Sequence, residues 1–322
     1  MKRFLLLFFV ICMISLCGCT DNKNEIQGFS MDAPYRIHAV GITEEQKTDI
    51  KKMINRIDNV LDAYDNSSVL SELNHYKKLT VSKSDADAKL LYDVINGSLP
   101  YCNEYFDISI RPVSKLWDFN SETPSLPQES LLQENLKAVD YKNIVIEDDF
   151  IYLENNAEIE LGAVAKGYAC DELAGYLKDE VAVIDIGGTL KTVGNEITAG
   201  VKSPDGNGLL CSFTLPQGYA VATSGSYERM FTLDDKHYHH ILNPKTGYPF
   251  DSEIVSVSVI SPSAMEADIM ATTLFAKGDL SFTKKNLEAI FVTKDREIFY
   301  TSGVKNFKLL HDEFVLQNKK VE

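Results

Sequence analysis

The residues best suited to chemistry are concentrated in the second half of the chain. Residues 223–229 read TSGSYER, and residues 239–249 read HHILNPKTGYP. So many small, hydroxyl-bearing and basic residues in a short span are unlike a hydrophobic core, where such side chains are seldom buried. This composition predicts a pocket for a large phosphorylated ligand.

A carboxylate and a hydroxyl group follow in a segment that is predicted to be helical. Asp268 and Thr272 lie four residues apart, so their side chains share one helix face. Two hard oxygen ligands suit Mg²⁺, which takes its other ligands from waters, phosphates or backbone carbonyls. The alternative is structural: Asp268 caps the helix or forms a salt bridge, and Thr272 bonds back to the backbone. The spacing by itself favours the structural alternative, because such pairs are common.

A lysine stands in the first turns of a second predicted helix. Residues 160–169 suggest a strand, a turn at Gly162 and a helix that carries Lys166. A glycine turn, a helix N-terminus and a positive charge together favour an anion. The alternative is a surface lysine on an ordinary helix, since this is not the spacing of a phosphate-binding P-loop. Similarly, Gly187 and Gly188 are either a tight turn or a close approach of the backbone to a cofactor.

His239 and His240 are adjacent on a predicted strand and therefore point to opposite faces. Only one of them can face a pocket, where it would accept a proton or contact a phosphate, so the pair is not a metal site. Serine catalysis by Ser224 or Ser226 with His240 is disfavoured because the nucleophile-elbow pattern G-x-S-x-G is missing. Several aromatic residues are either core or flat apolar neighbours of a flavin, namely Tyr64, Tyr105, Phe106 and Trp117.

The elements that must position these residues mix helices and strands without strict βαβ alternation. The predicted helices are 43–61, which opens with a capping box, 84–95, 129–139, 162–178 and 265–276. The predicted strands are 30–40, 143–146, 151–154, 181–186, 197–202, 210–215, 227–233, 237–242, 255–260, 289–293 and 297–301. The fold class is therefore predicted to be α+β, a single domain with room for two lobes.

Composition limits the partners. The net charge of −15 repels nucleic acid, so none is expected to bind. An anionic ligand therefore needs local help from a metal ion or a helix N-terminus. Cys102, Cys170 and Cys211 are too few for a disulfide framework and are expected to be small buried hydrophobes.

The N-terminus has the pattern of a signal peptide. Lys2 and Arg3 precede an apolar run over residues 4–16, and Leu16-Cys17-Gly18-Cys19 resembles the bacterial lipobox. We expect residues 1–18 to be removed, Cys19 to be lipidated and residues 19–27 to form a tether. The protein would then lie on the extracytoplasmic face of the bacterial cell membrane. The alternative is an ordinary secretory signal with an incidental cysteine.

Taken in order, these motifs resemble the ApbE family, the FAD:protein FMN transferases. The likeness runs from about residue 26 to about residue 310. The matching positions are Met31; 62–65 with Ser67, Ser71, Leu73 and Asn74; 106–113 with Leu116 and Trp117; 161–169; 185–188; 222–227; 240–247; and 267–268 with Thr272. The resemblance implies an ApbE-like FAD-binding catalytic domain over residues 28–315.

The resemblance also implies an activity and a set of site residues. The enzyme would bind FAD with Mg²⁺, cleave the pyrophosphate, release AMP and attach FMN to a threonine or serine hydroxyl of a partner flavoprotein. The implied Mg²⁺ ligands are Asp268, Thr272 and the main-chain carbonyl of Ala163. The implied FAD contacts are Met31, Tyr64, Tyr105, Phe106, Asp107, Glu160, Lys166 and Leu242. Asp268 and His240 are the expected catalytic residues, His240 assisting proton transfer or phosphate binding.

Two departures and two other functions remain open at this point. Asn243 stands where some members have an acidic residue, and Ala271 replaces an extra acidic residue between Asp268 and Thr272, which could weaken metal binding or limit it to one Mg²⁺. With water in place of the acceptor hydroxyl, the same site would be a Mg²⁺-dependent FAD pyrophosphatase giving FMN and AMP. A lipoprotein that binds FAD without catalysis is the alternative from another class.

Overall fold

The computed structural model describes residues 24–117, 119, 124–280 and 284–317. The predicted signal peptide, the lipid site at Cys19 and residues 19–23 of the predicted tether lie outside these residues. The tether prediction is wrong for residues 25–27, which begin the strand Glu25–Ser30 and place Ile26 in the core. The helices are α1 (Glu44–Leu61), α2 (Val69–Tyr76), α3 (Ala86–Ser98), α4 (Arg111–Ser114), α5 (Glu129–Leu136), α6 (Ala165–Tyr176) and α7 (Ala264–Lys277).

The strands follow a less regular order along the chain. They are β1 (Glu25–Ser30), β2 (Ala33–Ala39), β3 (Lys78–Thr80), β4 (Ile144–Glu147), β5 (Phe150–Leu153), β6 (Ala182–Ile186), β7 (Thr189–Val193), β8 (Ile197–Lys202), β9 (Leu209–Leu215), β10 (Ala220–Gly225), β11 (Met230–Leu233), β12 (Lys236–His239), β13 (Ile254–Ser261), β14 (Glu288–Thr293), β15 (Glu297–Tyr300), β16 (Lys305–Leu309) and β17 (Val315–Leu316).

One large sheet joins the two halves of the chain. Its order is β1-β2-β6-β7-β10-β13-β14-β15-β17, with antiparallel neighbours except for the parallel pair β15 and β17. Three small sheets, β11-β12, β16-β9-β8 and β3-β5-β4, flank it. The prediction of a single α+β domain is confirmed.

Helix α1 forms as its sequence predicts. The Thr43 side chain accepts a hydrogen bond from the Gln46 backbone, and the Gln46 side chain accepts one from the Thr43 backbone, which completes a capping box. Ile50, Ile54 and Ile57 recur at helical spacing and are buried in the largest core cluster. The apolar stripe therefore fixes α1 against the body of the protein.

Helices α6 and α7 contact each other, and α7 also lies against strands β10 and β13. Ser263 caps the start of α7 by accepting a hydrogen bond from Glu266 N, and Gly278 ends the helix in the left-handed region at φ 70°. Most of α7 is buried, including Asp268, because one face meets the sheet and another meets α6.

The strand predicted over residues 30–40 is wrong in its first part. Residues 25–39 form the hairpin of β1 and β2, and Met31 and Asp32 occupy its turn at φ 53° and 55°. Positive φ at both central residues matches the right-handed twist of the two strands. Met31 therefore lies at a hairpin tip and not within a strand.

The first stretch predicted to form a pocket, residues 223–229, divides into two parts. Residues 220–225 form the central strand β10, which pairs with β13 from Ala220 opposite Ser261 to Gly225 opposite Ser256. The strand predicted over 227–233 begins only at Met230, and the strand predicted over 237–242 ends at His239. The ends of these strands are set by pairing with strands that are distant in the sequence. Small residues have little strand preference of their own, so the local sequence does not reveal this pairing.

Two further findings concern the cysteines and the membrane. Cys102, Cys170 and Cys211 are buried and unpaired, as predicted. Within the described parts of the chain, no helix combines the length and the apolar character needed to cross a membrane.

Candidate functional site

A cavity of about 1050 Å³ gathers the residues predicted to do chemistry. Its walls come from the β1–β2 hairpin, the chain after α1, the turn before α6, strand β10 and helix α7. All twelve predicted ligand, metal and catalytic positions of the described chain line it: Met31, Tyr64, Tyr105, Phe106, Asp107, Glu160, Ala163, Lys166, His240, Leu242, Asp268 and Thr272. Trp117 does not, because it is fully buried among other aromatic rings in a separate core cluster.

Asp268 is held from two sides. Its Oδ2 accepts a hydrogen bond of 2.7 Å from the Gly167 backbone N–H, and its Oδ1 accepts one of 2.9 Å from Thr189 Oγ1. The residue is only 6% exposed. Burial raises the pKa of its carboxyl, and the positive charge of Lys166 is the largest influence that lowers it again. The two bonds fix the carboxylate and leave lone pairs that can still face the cavity.

Thr272 lies one turn further along α7, where its Oγ1 is 3.0 Å from Ser224 Oγ. On the neighbouring strand position, Thr223 Oγ1 is 2.7 Å from Ser258 Oγ. Strand β10 therefore presents hydroxyl groups toward both α7 and β13. The structural alternative for Thr272, a bond back to its own helix backbone, is not seen among the described residues, since the Thr272 hydroxyl pairs with Ser224 of β10.

Lys166 occupies the first turn of α6 and reaches back along the preceding loop. Its Nζ donates a hydrogen bond of 3.2 Å to the Gly162 carbonyl. Gly187 has φ 57°, and a Cβ added there would lie 3.0 Å from Lys166 Cδ. Gly187 thus serves both a turn and the close passage of the lysine side chain. The first turn of α6 combines a positive side chain with the positive end of the helix dipole, which suits an anion.

Tyr64 and Glu160 form one wall. The Arg111 guanidinium lies 3.8 Å from the centre of the Tyr64 ring, and the Tyr64 hydroxyl donates to Glu160 Oε1 at 3.4 Å. The Ser114 hydroxyl donates to the other Glu160 oxygen. These contacts orient an exposed aromatic ring at the edge of the cavity, where a flat ligand ring could stack.

Asp107 lines the cavity, but its oxygens are occupied. Oδ1 accepts hydrogen bonds from the backbone and the hydroxyl of Ser109, at 2.8 Å and 2.7 Å, and Oδ2 accepts one of 3.0 Å from Tyr141 N. Burial raises the pKa of this carboxyl. The Asp107 side chain therefore stabilises the backbone of the cavity wall, and the neighbouring Phe106 contributes apolar surface to the cavity.

The two adjacent histidines separate as predicted. His239 is buried; its Nε2 lies 3.0 Å from the Phe250 carbonyl oxygen and its ring contacts Phe275 edge to face. His240 lines the cavity, and its Nδ1 lies 3.3 Å from the Arg229 carbonyl oxygen. Because a carbonyl oxygen only accepts, Nδ1 carries the hydrogen and Nε2 keeps a lone pair. Burial, followed by the charge of Arg229, lowers the pKa of His240 to about 3.

The serine arrangement that the sequence disfavoured is also not formed. The Ser224 hydroxyl is paired with Thr272, and the Ser226 hydroxyl donates to the Val255 carbonyl at 3.4 Å. The Nδ1 of His240 is engaged with a backbone carbonyl. These partners leave no serine–histidine pair among the described residues.

Several residues near the cavity were not predicted. Asp58 Oδ2 accepts from Ser30 Oγ at 2.6 Å and from Met31 N at 3.0 Å, which holds the hairpin tip. Arg229 approaches Asp32 to 3.6 Å and links that tip to the loop after β10. Neither Asp58 nor Thr189 has a local sequence signal, because the hydrogen-bond partners of each side chain lie at least 27 residues away in the chain.

Glu228 is a further carboxylate on the cavity wall. Burial raises its pKa, while Lys166 lowers it and Asp268 raises it. In the described part of the chain, Glu228 has no hydrogen bond or ion pair. Glu228 lies within residues 223–229, which were predicted to form a pocket, but no role was predicted for it.

The donor set of the cavity can be tested against the metal that the sequence implied. Among the described residues there is no group of three or more His, Cys, Asp or Glu side chains that could hold a metal ion. The cavity instead offers the buried carboxylate of Asp268 with the neutral oxygens of Thr272 and the Ala163 backbone, while the oxygens of buried Asp107 are occupied by other hydrogen bonds. Such a hard oxygen set fits Mg²⁺ bound together with substrate phosphates, and it does not suit a softer transition metal.

Comparison with known proteins gives a consistent result. The model of the ApbE family matches residues 31–291. A protein of Klebsiella pneumoniae (strain 342), named FAD:protein FMN transferase, is 32% identical over 300 residues that cover 87% of this chain and 93% of its own. A protein of Escherichia coli (strain K12) with the same name is 27% identical, with 94% of each chain covered.

Solved structures share the architecture. The crystal structure of the ApbE protein from Thermotoga maritima superposes with a TM-score of 0.77 at 28% identity, covering 86% of this chain and 96% of that one. The flavin transferase ApbE from Vibrio cholerae gives a TM-score of 0.70 at 23% identity, covering 86% and 96%, and supports the fold.

Proposed function

The chain belongs to the ApbE family, and from this membership we propose that it is an FAD:protein FMN transferase. The observation that carries the proposal is the convergence of all twelve predicted site residues on one cavity of about 1050 Å³. The acceptor in this proposal is a threonine or serine hydroxyl of a partner flavoprotein, and the second product is AMP.

The proposed reaction balances without a redox partner. The acceptor oxygen bonds to the FMN-side phosphorus, and the bond from that phosphorus to the bridging oxygen breaks. The bridging oxygen leaves with AMP, and the hydroxyl proton passes to a base. Because the pyrophosphate is anionic, the site must offset its charge before an alcohol can attack.

The residues of the cavity divide this task. Lys166 and the N-terminus of α6 would bind the phosphates. Asp268, Thr272 and the Ala163 carbonyl would hold Mg²⁺, which when bound supplies further positive charge to the phosphate oxygens. The fixed hydrogen bonds from Gly167 and Thr189 keep the Asp268 carboxylate oriented for that purpose.

His240 is proposed to accept the proton of the acceptor hydroxyl. The Arg229 carbonyl fixes the hydrogen on Nδ1, so that Nε2 offers a lone pair. A pKa lowered to about 3 keeps the ring neutral before substrate binds. The negative charge of a bound pyrophosphate would offset the nearby cations and raise this pKa, which would make the ring a better base in the complex.

The test uses purified protein, FAD, Mg²⁺ and an acceptor domain with an exposed threonine, analysed by intact mass spectrometry. We expect an FMN increment on the acceptor and release of AMP. Both should be lost in Asp268→Ala and in reactions with excess chelator. An acceptor carrying Val in place of the threonine is the matched control and should stay unmodified.

The same experiment separates the alternatives. Release of FMN and AMP with every acceptor unmodified would support the pyrophosphatase and contradict transfer. FAD that is bound but unchanged with Mg²⁺ present would support the non-catalytic carrier.

We also propose that lipidated Cys19 and the tether hold the domain on the extracytoplasmic face of the cell membrane, as the lipobox-like sequence suggests.

A further inference from the structure

The start of helix α7 donates hydrogen bonds to a carboxylate of helix α6. Asp171 of α6 accepts hydrogen bonds from Ser263 Oγ at 2.7 Å, from Ala264 N at 2.9 Å and from Met265 N at 3.0 Å. The Ser263 side chain caps the same helix by accepting from Glu266 N. Asp171 therefore satisfies backbone donors that the cap of α7 itself leaves free.

Asp171 is in turn held by a lysine from the sheet. Lys191 Nζ lies 2.8 Å from Asp171 Oδ1 and donates to the Pro262 carbonyl at 2.7 Å. The side chains of Lys191 and Asp171 are only 10% and 26% exposed. A buried ion pair adds little net stability, because desolvation offsets most of the attraction. Its more important effect here is geometric: it ties strand β7, helix α6 and the start of α7 together.

The two helices touch backbone to backbone beside this pair. A Cβ on Gly167 would lie 2.4 Å from the Ala264 carbonyl oxygen, so only a glycine lets the backbones of α6 and α7 lie this close. The Gly167 N–H donates to Asp268, which lies one helical turn beyond Ala264. Any displacement of the start of α7 would therefore change the position of the Asp268 carboxylate relative to α6.

We propose that Asp171 is a positioning residue: it fixes helix α7 against helix α6 and so sets where Asp268 lies relative to Lys166. The inference rests on the proposed function, because it assigns Asp171 to the assembly of that same site. Asp171 does not line the cavity, so its effect would be exerted through α7.

The test compares Asp171→Asn with Glu172→Gln in the full chain. Both variants remove one negative charge from adjacent positions of α6, but Glu172 is exposed and makes no hydrogen bond to α7 in the described structure. An asparagine presents one acceptor oxygen where Asp171 presents two, and its NH₂ group opposes the N–H donors of α7. Hydrogen exchange of peptides covering residues 263–268 is measured in both, without FAD or metal. We expect faster exchange only in Asp171→Asn.

The second readout is the dissociation constant for Mn²⁺ in the presence of FAD, followed by electron paramagnetic resonance. We expect it to rise at least about tenfold in Asp171→Asn and to stay at the wild-type value in Glu172→Gln, as found when outer partners of metal ligands are lost. When turnover is measured at saturating Mn²⁺, the KM for FAD should change by a smaller factor than the dissociation constant for Mn²⁺.

The outcomes are distinguishable from failure of the proposed function. If the wild-type protein binds Mn²⁺ but transfers no FMN, the function fails while the exchange and binding measurements still support the positioning role. Equal exchange and equal Mn²⁺ affinity in the two variants would overturn it. If Asp171→Asn does not fold, Asp171→Glu takes its place, since it keeps the charge beside Lys191 but its longer side chain cannot keep the three hydrogen bonds to the start of α7. Wild-type exchange and Mn²⁺ affinity in that variant would equally overturn the proposal.

Discussion

At the scale of the residue, the cavity balances charges that would otherwise repel one another and the ligand. Asp268 and Glu228 bring negative charge to the wall, and burial raises the pKa of both. Lys166 opposes this shift in both carboxyls. Lys166 thus offsets the charge of both carboxylates in the free protein, and in the proposed reaction it binds the phosphates of FAD.

Replacing Lys166 should weaken FAD binding. Lys166→Gln removes a charge-assisted hydrogen bond, which contributes about 1.5–3 kcal/mol. Since about 1.4 kcal/mol corresponds to a factor of ten, we expect the dissociation constant for FAD to rise roughly 10- to 100-fold. Isothermal titration calorimetry measures it, and exposed Lys178→Gln is the control. An unchanged constant would show that Lys166 does not contact the ligand.

The depressed pKa of His240 predicts a pH effect on stability. An unfolded histidine takes up a proton near pH 6.5, whereas folded His240 does so only at about pH 3. Between these values the unfolded state binds more protons, so this residue makes the protein less stable as the pH falls from about 6.5 toward 3.

His240→Gln should remove that contribution. We expect the urea midpoint of the variant to fall less than that of the wild type when the pH is lowered from 7 to 5. His75→Gln changes an exposed histidine and should keep the wild-type difference. If the urea midpoint of the His240 variant falls as much as that of the wild type, the pKa of His240 is not lowered in the folded wild-type protein.

At the scale of the element, the decisive contact is that between helices α6 and α7. α6 supplies Lys166, the Gly167 N–H and Asp171, and α7 supplies Asp268 and Thr272. The site therefore depends on how these two helices cross more than on any loop. Gly167 makes the crossing possible because it has no side chain.

Two glycines of α6 allow a matched test of this crossing. Gly167→Ala places a Cβ 2.4 Å from a backbone oxygen of α7 and should destabilise the protein by about 1–3 kcal/mol through overpacking. Gly175→Ala meets no atom within 4 Å and should stabilise it by roughly 0.5–1 kcal/mol through helix propensity. Urea unfolding measures both. Equal effects would mean that the helices are free to separate at Gly167.

At the scale of the whole molecule, one continuous sheet connects the N-terminal hairpin to the C-terminal strands, and the cavity draws walls from both halves. The net charge of −15 repels polyanions at long range and leaves the cation and helix terminus of the cavity as the local attraction for a phosphorylated ligand. Attachment to a membrane would come from the lipid and not from the surface charge.

The proposed anchor predicts the behaviour of the whole protein in cells. In Cys19→Ser, loss of the lipidated cysteine should move the protein from the membrane pellet to the soluble fraction or leave it as an unprocessed precursor. The neighbouring Cys17→Ser is the control and should remain membrane-bound. Fractionation followed by immunoblotting measures the distribution. Cys19→Ser protein of mature size that stays with the membrane would contradict the lipid anchor.

The sequence by itself determined the features that arise from short-range physics. The capping box at Thr43, the isoleucine stripe of α1 and the β4–β5 hairpin follow from neighbours within a few residues, and all three are present. The identities of the cavity residues were also predictable, because their motifs retain family order along the chain.

Only the tertiary structure decided how those residues meet. β10 is a run of small and hydroxyl residues with weak strand preference, and its pairing with β13 brings Ser224 to Thr272. Asp171 reaches α7 across about 93 residues of chain, and Thr189 reaches Asp268 across 79. Such contacts depend on the free energy of the complete fold, in which burial and distant pairing outweigh local preference, so no local pattern encodes them.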